Sequence, residues 1–281
     1  MDWPEPDPNA KGIPAATVII FRNCPDGGHP QVLMVTRPKA MRCAGGAAVF
    51  PGGKVDDADH VLAASIGGDD LEDLAARIAG IRETLEETGL LIGIKQKVTG
   101  EDAVAAREMI IREKELAPVL AHFGWELDPS LLVPFARWFP KVKSPKIFDA
   151  RFYIANLGTG NVDVAIDQTE NTKLFWTAAG NALDMADVGE VSIIFPTRRN
   201  LERLPQFASF GEAEDHARVT PIDTITPWVD PSGDEPVLRI PEGLGYPVTF
   251  EPVATVMRAI PLPNEIVLAR TSGFRVQRNR R

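Results

Sequence analysis

The sequence predicts an α/β protein, because short apolar runs typical of strands occur beside a long amphipathic helix. Strand-like runs occupy residues 15–22 (AATVIIFR) and 31–37 (QVLMVTR), and both are rich in β-branched residues. Residues 71–88 (LEDLAARIAGIRETLEET) have an apolar residue every three or four positions, which predicts one helix with an apolar stripe. The stripe consists of Leu71, Leu74, Ile78, Ile81 and Leu85. Gly89 stands where helices commonly end in a left-handed residue.

The first strands lead into a glycine turn. Residues 23–30 (NCPDGGHP) are rich in turn formers, so the first two strands are predicted to form a hairpin. A third strand at 47–50 (AAVF) brings the chain to Gly52 and Gly53. Glycines permit positive φ and let backbone N–H groups approach a phosphate. The alternative interpretation is an ordinary tight turn.

The predicted helix carries three carboxylates on the side opposite its apolar stripe, together with Ala79. Glu83, Glu86 and Glu87 fall within about a quarter-turn of the helix circumference, and none has a Lys or Arg four residues further on. They also lie in the last turns, where the helix dipole disfavours negative charge. Converging carboxylate oxygens suit Mg²⁺ or Mn²⁺, which would relieve the repulsion. The alternative is a solvated acidic face.

The glycine turn and the acidic helix together resemble the Nudix box, G-x5-E-x7-R-E-U-x-E-E-x-G-U. The residues on its positions are Gly53, Arg82, Glu83, Glu86, Glu87, Gly89 and Leu90. Thr84 takes a place that is usually aliphatic, and 15 residues are inserted between Gly53 and Arg82 relative to the pattern. Five residues separate Gly53 from Asp59, which therefore takes the first Glu position with a shorter side chain. Glu72 and Asp73 are the alternatives.

The resemblance implies a Nudix fold, a mixed sheet sandwiched between helices, and hydrolysis of a nucleoside diphosphate linked to another group. It implies a Mg²⁺ or Mn²⁺ site made by Glu83, Glu86 and Glu87, with Asp59 as a further candidate ligand. We expect Arg82 to orient a glutamate through a salt bridge. Glu83 and Glu170 are the candidate bases. Glu170, a carboxylate that precedes a strand ending in Trp, is also a candidate for a further metal ligand.

The residues before the box are similar to a signature of Nudix enzymes that cleave coenzyme A. Arg37, Arg42 and Gly46 precede the FPGG turn at the spacing R-x4-R-x3-G-x3-FPGG, while Val35 and Pro38 depart from the pattern. Arg37 and Arg42 are candidates for binding an extra phosphate by bidentate hydrogen bonds, or are solvated charges at a strand end. Coenzyme A or acyl-coenzyme A is the first expectation. ADP-ribose, a nucleotide sugar, or non-catalytic nucleotide binding are the alternatives.

The remaining elements follow from the same patterns. A short strand is predicted at 91–95, a charged helix at 101–120 broken around Pro118, and strands at 131–138 and 148–157. We assign no chemistry to the charged helix, whose acidic and basic residues alternate. Helices are expected from Pro196, with a break at Pro205. The domain prediction is an arm at 1–13, a Nudix domain at 14–217 with an insert at about 60–70, and an extension at 218–281 with a basic tail.

Composition limits the partners of this 281-residue chain. A net charge of −9 and a pI near 5.1 argue against a nucleic-acid surface. No apolar run is long enough to span a membrane. Cys24 and Cys43 are too few for a disulfide framework and fit a reducing cytoplasm. The expected partner is a small nucleotide, and the sequence leaves the oligomeric state open, a homodimer included.

Overall fold

The computed structural model describes residues 4–24, 27–36, 46–144, 146–157 and 173–259. The described strands are β1 (Ile13–Arg22), β2 (Gln31–Thr36), β3 (Ala48–Val49), β4 (Gly52–Lys54), β5 (Val133–Trp138), β6 (Phe148–Asn156), β7 (Lys173–Ala178), β8 (Thr224–Ile225), β9 (Trp228–Asp230), β10 (Val237–Arg239) and β11 (Phe250–Pro252). The helices are α1 (Asp57–Ile66), α2 (Leu71–Thr88), α3 (Gly100–Glu113), α4 (Leu116–Phe123), α5 (Ala179–Asp187), α6 (Phe195–Arg203), α7 (Phe210–Val219) and α8 (Val253–Ala259).

Eight of these strands form one mixed sheet. Its main path runs β3-β2-β1-β6-β5-β8, with β4 added beside β1 and β7 beside β2. The β1–β6 and β5–β8 pairs are parallel and the others antiparallel. The predicted hairpin of β1 and β2 is confirmed by the pairing of Phe21 with Val32. Strands β9, β10 and β11 form a second, three-stranded sheet.

Helices cover both faces of the main sheet, as expected for the fold class. Alternate residues of β1 point to opposite faces, so Val18 and Ile20 join one apolar cluster while Ile19 and Phe21 join the other. The first cluster takes buried residues from α1 to α4, and the second takes them from α5 to α8. The sheet is therefore buried between two helical layers.

The predicted helix with the acidic face is α2, with the expected bounds. Asp70 caps its start by accepting a hydrogen bond from the Asp73 N–H at 2.9 Å. Gly89 ends it with φ 73°. The central and C-terminal part of the stripe is buried, whereas Leu71 in the first turn is exposed. Ala79, expected on the acidic side, is also buried.

Two local predictions were wrong. Residues 91–95 form no strand beyond an isolated bridge between Ile94 and Leu127, because Gly93 adopts φ 67° and interrupts the extended run. The break between α3 and α4 falls at Lys114, with φ 61°, and Pro118 lies in the first turn of α4. A proline there is tolerated, because the first N–H groups of a helix have no partner within it.

Residues beyond 217 belong to the same core as the preceding strands. Ile225 of β8 pairs with Trp138 of β5, and the Trp138 indole N–H donates to the Tyr246 hydroxyl at 3.1 Å. The same hydroxyl donates to Asn200 at 2.8 Å. Several other buried residues from 238 to 256 lie in the cluster that contains α5–α7. This part of the chain therefore completes one face of the main sheet.

The N-terminal residues lie along the loop after β5. The Asp7 N–H donates to the Lys141 carbonyl at 2.7 Å, and the Lys143 N–H donates to the Glu5 carbonyl at 2.8 Å. Residues 269–281, the predicted basic tail, lie outside the described residues. Across the described ranges, every helix is too short or too polar to cross a membrane.

Candidate active site

The glycine turn touches the acidic face of α2. Strand β4 pairs with β1, which places Gly52 and Gly53 against the C-terminal half of the helix. The Gly52 N–H donates to Glu87 Oε2 at 3.0 Å. A Cβ added at Gly53 would lie 2.2 Å from the Glu83 carboxylate, so no larger residue fits there without moving Glu83. The turn therefore binds one carboxylate and packs directly on another.

Arg82 is the centre of the ionic contacts around this turn. Its side chain is only 3% exposed. Its Nη1 donates to Glu83 Oε1 and to Glu86 Oε1, each at 3.0 Å. Its Nη2 donates to the Lys54 carbonyl at 2.9 Å. The guanidinium thus joins two carboxylates of α2 to the backbone of β4. The orienting role expected for Arg82 stays a prediction.

Asp59, the residue at the first Glu position of the box, contacts the opposite side of the same guanidinium. It is 1% exposed and accepts from Arg82 Nη2 at 3.0 Å and from Nε at 3.1 Å. Its Oδ2 also accepts from the Asp56 N–H at 2.9 Å, in a capping box at the start of α1. Helix α1 therefore begins just before the predicted insert, and its first turn brings the shorter carboxylate of Asp59 to Arg82.

Glu72 and Asp73, the alternatives to Asp59, lie at the other end of α2. Ten residues of helix separate Asp73 from Glu83, a rise of about 15 Å. Asp73 accepts hydrogen bonds from Arg77, Arg151 and Tyr153. Glu72 is exposed, with His60 Nδ1 at 3.8 Å. The structure therefore brings Asp59, and neither alternative, to the Arg82 cluster.

Helix α3 supplies two contacts that the sequence analysis missed. Arg107 Nε donates to the Glu86 carbonyl at 3.1 Å and Nη2 to the Glu87 carbonyl at 3.4 Å, at the end of α2 where carbonyls have no partner within the helix. Lys114 Nζ lies 3.3 Å from Glu86 Oε2. In the sequence both residues belong to a stretch of alternating acidic and basic residues, so no local pattern identifies them as contacts of α2.

The electrostatics of the site follow from burial of several charges around one guanidinium. Burial lowers the pKa of Arg82, but its hydrogen bond to Asp59 and the charges of Asp59 and Glu83 outweigh this, so the pKa is raised overall. Burial also raises the pKa of Glu83, an effect that Arg82 opposes and Glu86 reinforces. Carboxylates outnumber cations here, so the cluster retains excess negative charge.

The donor chemistry fits a divalent cation, although the carboxylates have other partners in this arrangement. Among the described residues, no three acidic, His or Cys side chains stand in a geometry ready to hold a metal ion. Glu86 faces Arg82 and Lys114, and Glu87 faces the Gly52 N–H. Hard oxygen donors with excess negative charge are the ligands that Mg²⁺ and Mn²⁺ prefer. A divalent ion would therefore compete with these cationic and N–H groups.

Three predicted site residues cannot be placed. Arg37 and Arg42, the candidates for phosphate binding, and Glu170, the second candidate base, lie outside the described residues. Their roles stay predictions from the sequence. The described residue nearest to Arg37 in the chain is Thr36 at the end of β2, and the one nearest to Glu170 is Lys173 at the start of β7. These two residues pair with each other.

Comparison with solved structures identifies the architecture. The sequence matches no protein-family model and no curated protein. The crystal structure of a NUDIX hydrolase from Alicyclobacillus acidocaldarius superimposes with a TM-score of 0.59 over 76% of this chain and 99% of that chain, at 23% sequence identity. The chain has the Nudix fold. This Nudix-fold chain therefore also contains the predicted insert, which overlaps α1, and the segment after α7.

More distant structures are also Nudix proteins. A Nudix hydrolase from M. smegmatis, RenU, has a TM-score of 0.37 and 15% identity over 73% of this chain and 94% of that one. The NUDIX domain of Shewanella oneidensis NrtR, complexed with ADP ribose, has a TM-score of 0.37 and 13% identity over 71% of this chain and 92% of that one. Superpositions this loose add nothing to the assignment of the Nudix fold.

Proposed function

We propose that this chain is a metal-dependent hydrolase that cleaves the diphosphate linkage of a nucleoside diphosphate joined to another group. The observation that carries the proposal is the contact between the Gly52-Gly53 turn and the carboxylates of α2, held together by the buried Arg82. A backbone turn beside excess negative charge suits a bound cation with a phosphate against it.

Each described residue has a distinct role in the proposed reaction. Glu83, Glu86 and Glu87 would hold Mg²⁺ or Mn²⁺, which when bound neutralises the diphosphate and lowers the pKa of an attacking water. Water attacks one phosphorus, and the bond from that phosphorus to the bridging oxygen breaks. Of the candidate bases Glu83 and Glu170, Glu83 is the described one, and it packs directly on the glycine turn.

Arg82 and Asp59 would act as positioning residues. Arg82 donates to Glu83 and Glu86 and fixes both side chains relative to the glycine turn. We propose that Asp59 holds Arg82 in place and is not itself a metal ligand, because both of its oxygens already accept hydrogen bonds within a buried contact. The earlier hypothesis of Asp59 as a ligand would require that contact to break.

Replacing Glu86 or Glu87 by Gln tests the activity. Each change removes one negative charge with little change in shape, so we expect Mg²⁺-dependent hydrolysis of the preferred dinucleotide to be abolished with the fold intact. The measurement is product formation by mass spectrometry over a panel of dinucleotides. Glu108→Gln, on the exposed face of α3, is the matched control. Undiminished turnover in either variant would refute the proposal, and ligand binding without turnover by the unchanged protein would favour a nucleotide-binding protein.

Coenzyme A or acyl-coenzyme A is the proposed substrate, giving 3′,5′-ADP and a phosphopantetheine. The support is the sequence spacing of Arg37 and Arg42 before the glycine turn. ADP-ribose or a nucleotide sugar is the alternative, and one Nudix-fold structure named above holds ADP ribose. We also propose a cytoplasmic location, supported by the composition and the two cysteines.

The double change Arg37→Ala and Arg42→Ala tests the substrate. If the two guanidinium groups bind the 3′-phosphate, KM for coenzyme A should rise by about tenfold or more, which corresponds to the loss of at least one charge-assisted hydrogen bond. KM for dephospho-coenzyme A, which lacks this phosphate, should change much less. Equal changes for both compounds would eliminate the phosphate contact.

A further inference from the structure

Helix α3 provides two cationic side chains to the last turn of α2, and the two differ in kind. Arg107 donates to backbone carbonyls, so its contact depends on the helix end and not on the charge of any carboxylate. Lys114 contacts a side chain, Glu86 Oε2, at 3.3 Å. Of these two side chains, only Lys114 would therefore compete directly with a divalent cation for the Glu86 carboxylate.

The backbone at Lys114 is unusual for a lysine. It ends α3 with φ 61°, in the left-handed region where Gly and Asn are the common residues. Of the described residues other than glycine, only Lys141 also has positive φ. The left-handed turn ends α3 beside α2, and the ammonium group reaches back to Glu86.

The surroundings of Lys114 allow the ammonium group to leave. Its side chain is 65% exposed, whereas that of Glu86 is 15% exposed. Arg82, the other cation on Glu86, is buried. It also donates hydrogen bonds to Asp59, Glu83 and the Lys54 carbonyl, and it forms an ion pair with Asp56. Because an exposed ion pair contributes little free energy and costs little to break, the Lys114 contact is the weaker one.

We propose that Lys114 is a displaceable counter-ion for Glu86, in contact when no divalent cation is bound and released when one binds. This inference rests on the proposed function, since it assigns a role to a residue facing the proposed metal ligands. Physically, one positive charge next to a buried carboxylate lowers its repulsion with Glu83 in the metal-free protein. The same charge disfavours a divalent ion at that carboxylate. Lys114 would therefore weaken metal binding while stabilising the metal-free site.

Isothermal titration of the full chain with Mn²⁺ tests this role without depending on turnover. We expect Lys114→Met to bind Mn²⁺ roughly threefold to tenfold more tightly than the unchanged protein at low ionic strength, as expected when a unit charge a few ångströms away is removed. Lys114→Arg keeps the charge and should retain the original Kd. The difference should shrink in high salt, which screens the exposed ammonium group.

Arg112→Met is the matched control. Arg112 lies in the last turn of α3, two residues before Lys114. It pairs with Glu113, and 68% of its side chain is exposed. Removing its charge should leave the Mn²⁺ affinity close to that of the unchanged protein. If Lys114→Met and Arg112→Met have the same Kd, the counter-ion role is overturned while the proposed metal site stands.

Two further outcomes separate the inference from the proposed function. If the unchanged protein binds no Mn²⁺, both the metal site and the counter-ion role fall together. If Lys114→Met binds Mn²⁺ more weakly, the lysine supports the site instead of competing with the ion, and the inference is wrong. Thermal unfolding without metal provides the second readout, because Lys114→Met should lower the melting temperature relative to Lys114→Arg only in the metal-free protein.

Discussion

Arg82 connects α2 to residues of β4 and α1 that lie more than twenty positions earlier in the chain. It contacts Asp59 on α1, the backbone of Lys54 on β4 and two glutamates on its own helix. A buried guanidinium is favourable only while its carboxylate partners compensate for the water it has lost. The same contacts that stabilise the fold therefore also set the positions of the carboxylates proposed to act in the reaction.

A double-mutant cycle on Arg82 and Asp59 measures this dependence. Arg82→Met leaves the carboxylate of Asp59 buried without its cation, so we expect a loss of about 3–5 kcal/mol in the free energy of unfolding. Combining it with Asp59→Leu should cost less than the sum of the two single changes, with a coupling of about 2 kcal/mol or more. Urea unfolding gives these values. Additive effects would show that the two side chains do not depend on each other.

At the scale of the element, the two halves of α2 make different kinds of contact. Its C-terminal half faces the glycine turn, and its N-terminal half is bound to the sheet through Asp73. Asp73 accepts from Arg77 Nε at 2.6 Å, from Tyr153 Oη at 2.8 Å and from Arg151 Nη1 at 3.1 Å. One end of the helix is therefore anchored to β6, which fixes the direction in which the other end presents its carboxylates.

Asp73→Asn should lower stability in a pH-dependent manner. Burial raises the pKa of Asp73, but Arg77, Tyr153 and Arg151 lower it by more, so its folded-state pKa lies below the ordinary value. Stabilisation by such a group is present above the ordinary Asp pKa and is lost as the pH falls through the folded-state pKa. We expect the variant to lose roughly 1–2 kcal/mol at neutral pH.

Measuring the two proteins in acid as well checks the predicted direction of the pH dependence. The difference in unfolding free energy between the unchanged protein and Asp73→Asn should shrink as the pH falls below the ordinary Asp range. Glu72→Gln is the control, because Glu72 is the neighbouring acidic residue and is largely exposed. A difference that stays constant with pH would mean that the charge of Asp73 is not what binds α2 to β6.

At the scale of the whole molecule, residues 224–256 are part of the folded core. Strand β8 continues the main sheet beside β5, and Tyr246 is buried between the Trp138 indole N–H and Asn200. The guanidinium of Arg203 lies 3.8 Å from the ring of Phe135 and 5.3 Å from that of Tyr246. One helical layer would therefore lose much of its apolar cover if the segment after α7 were removed.

A chain ending at Ala217 tests the domain boundary predicted from the sequence. We expect it to lose cooperative thermal unfolding, because strand β5 and helix α6 would be exposed to water. The milder change Tyr246→Phe should cost about 1–3 kcal/mol, since it leaves two buried polar groups unpaired. Trp228→Phe, at an exposed position, should cost little. A truncated chain with the original melting temperature would support a separate domain at 14–217.

The sequence predicted the parts of the site that depend on local spacing. The bounds of α2, the left-handed Gly89 and the hairpin of β1 and β2 all follow from apolar periodicity and turn residues, which act over a few positions. The resemblance to the Nudix box rests mainly on spacing within α2, with the glycine turn before it, and the observed fold agrees with it. These features depend on residues close together in the sequence, so they can be predicted without knowledge of tertiary contacts.

Sequence spacing by itself therefore determined which carboxylates share one face of α2 and that a glycine turn precedes them. Only the tertiary structure decided that Asp59, and not Glu72 or Asp73, meets Arg82, and that Arg107 and Lys114 reach the end of the helix. The physical reason is that the spacing of apolar residues along a helix shows only which face of that helix is buried. The contacts named here depend instead on how α1 and α3 pack on α2. Packing of this kind is set by buried surface from distant parts of the chain.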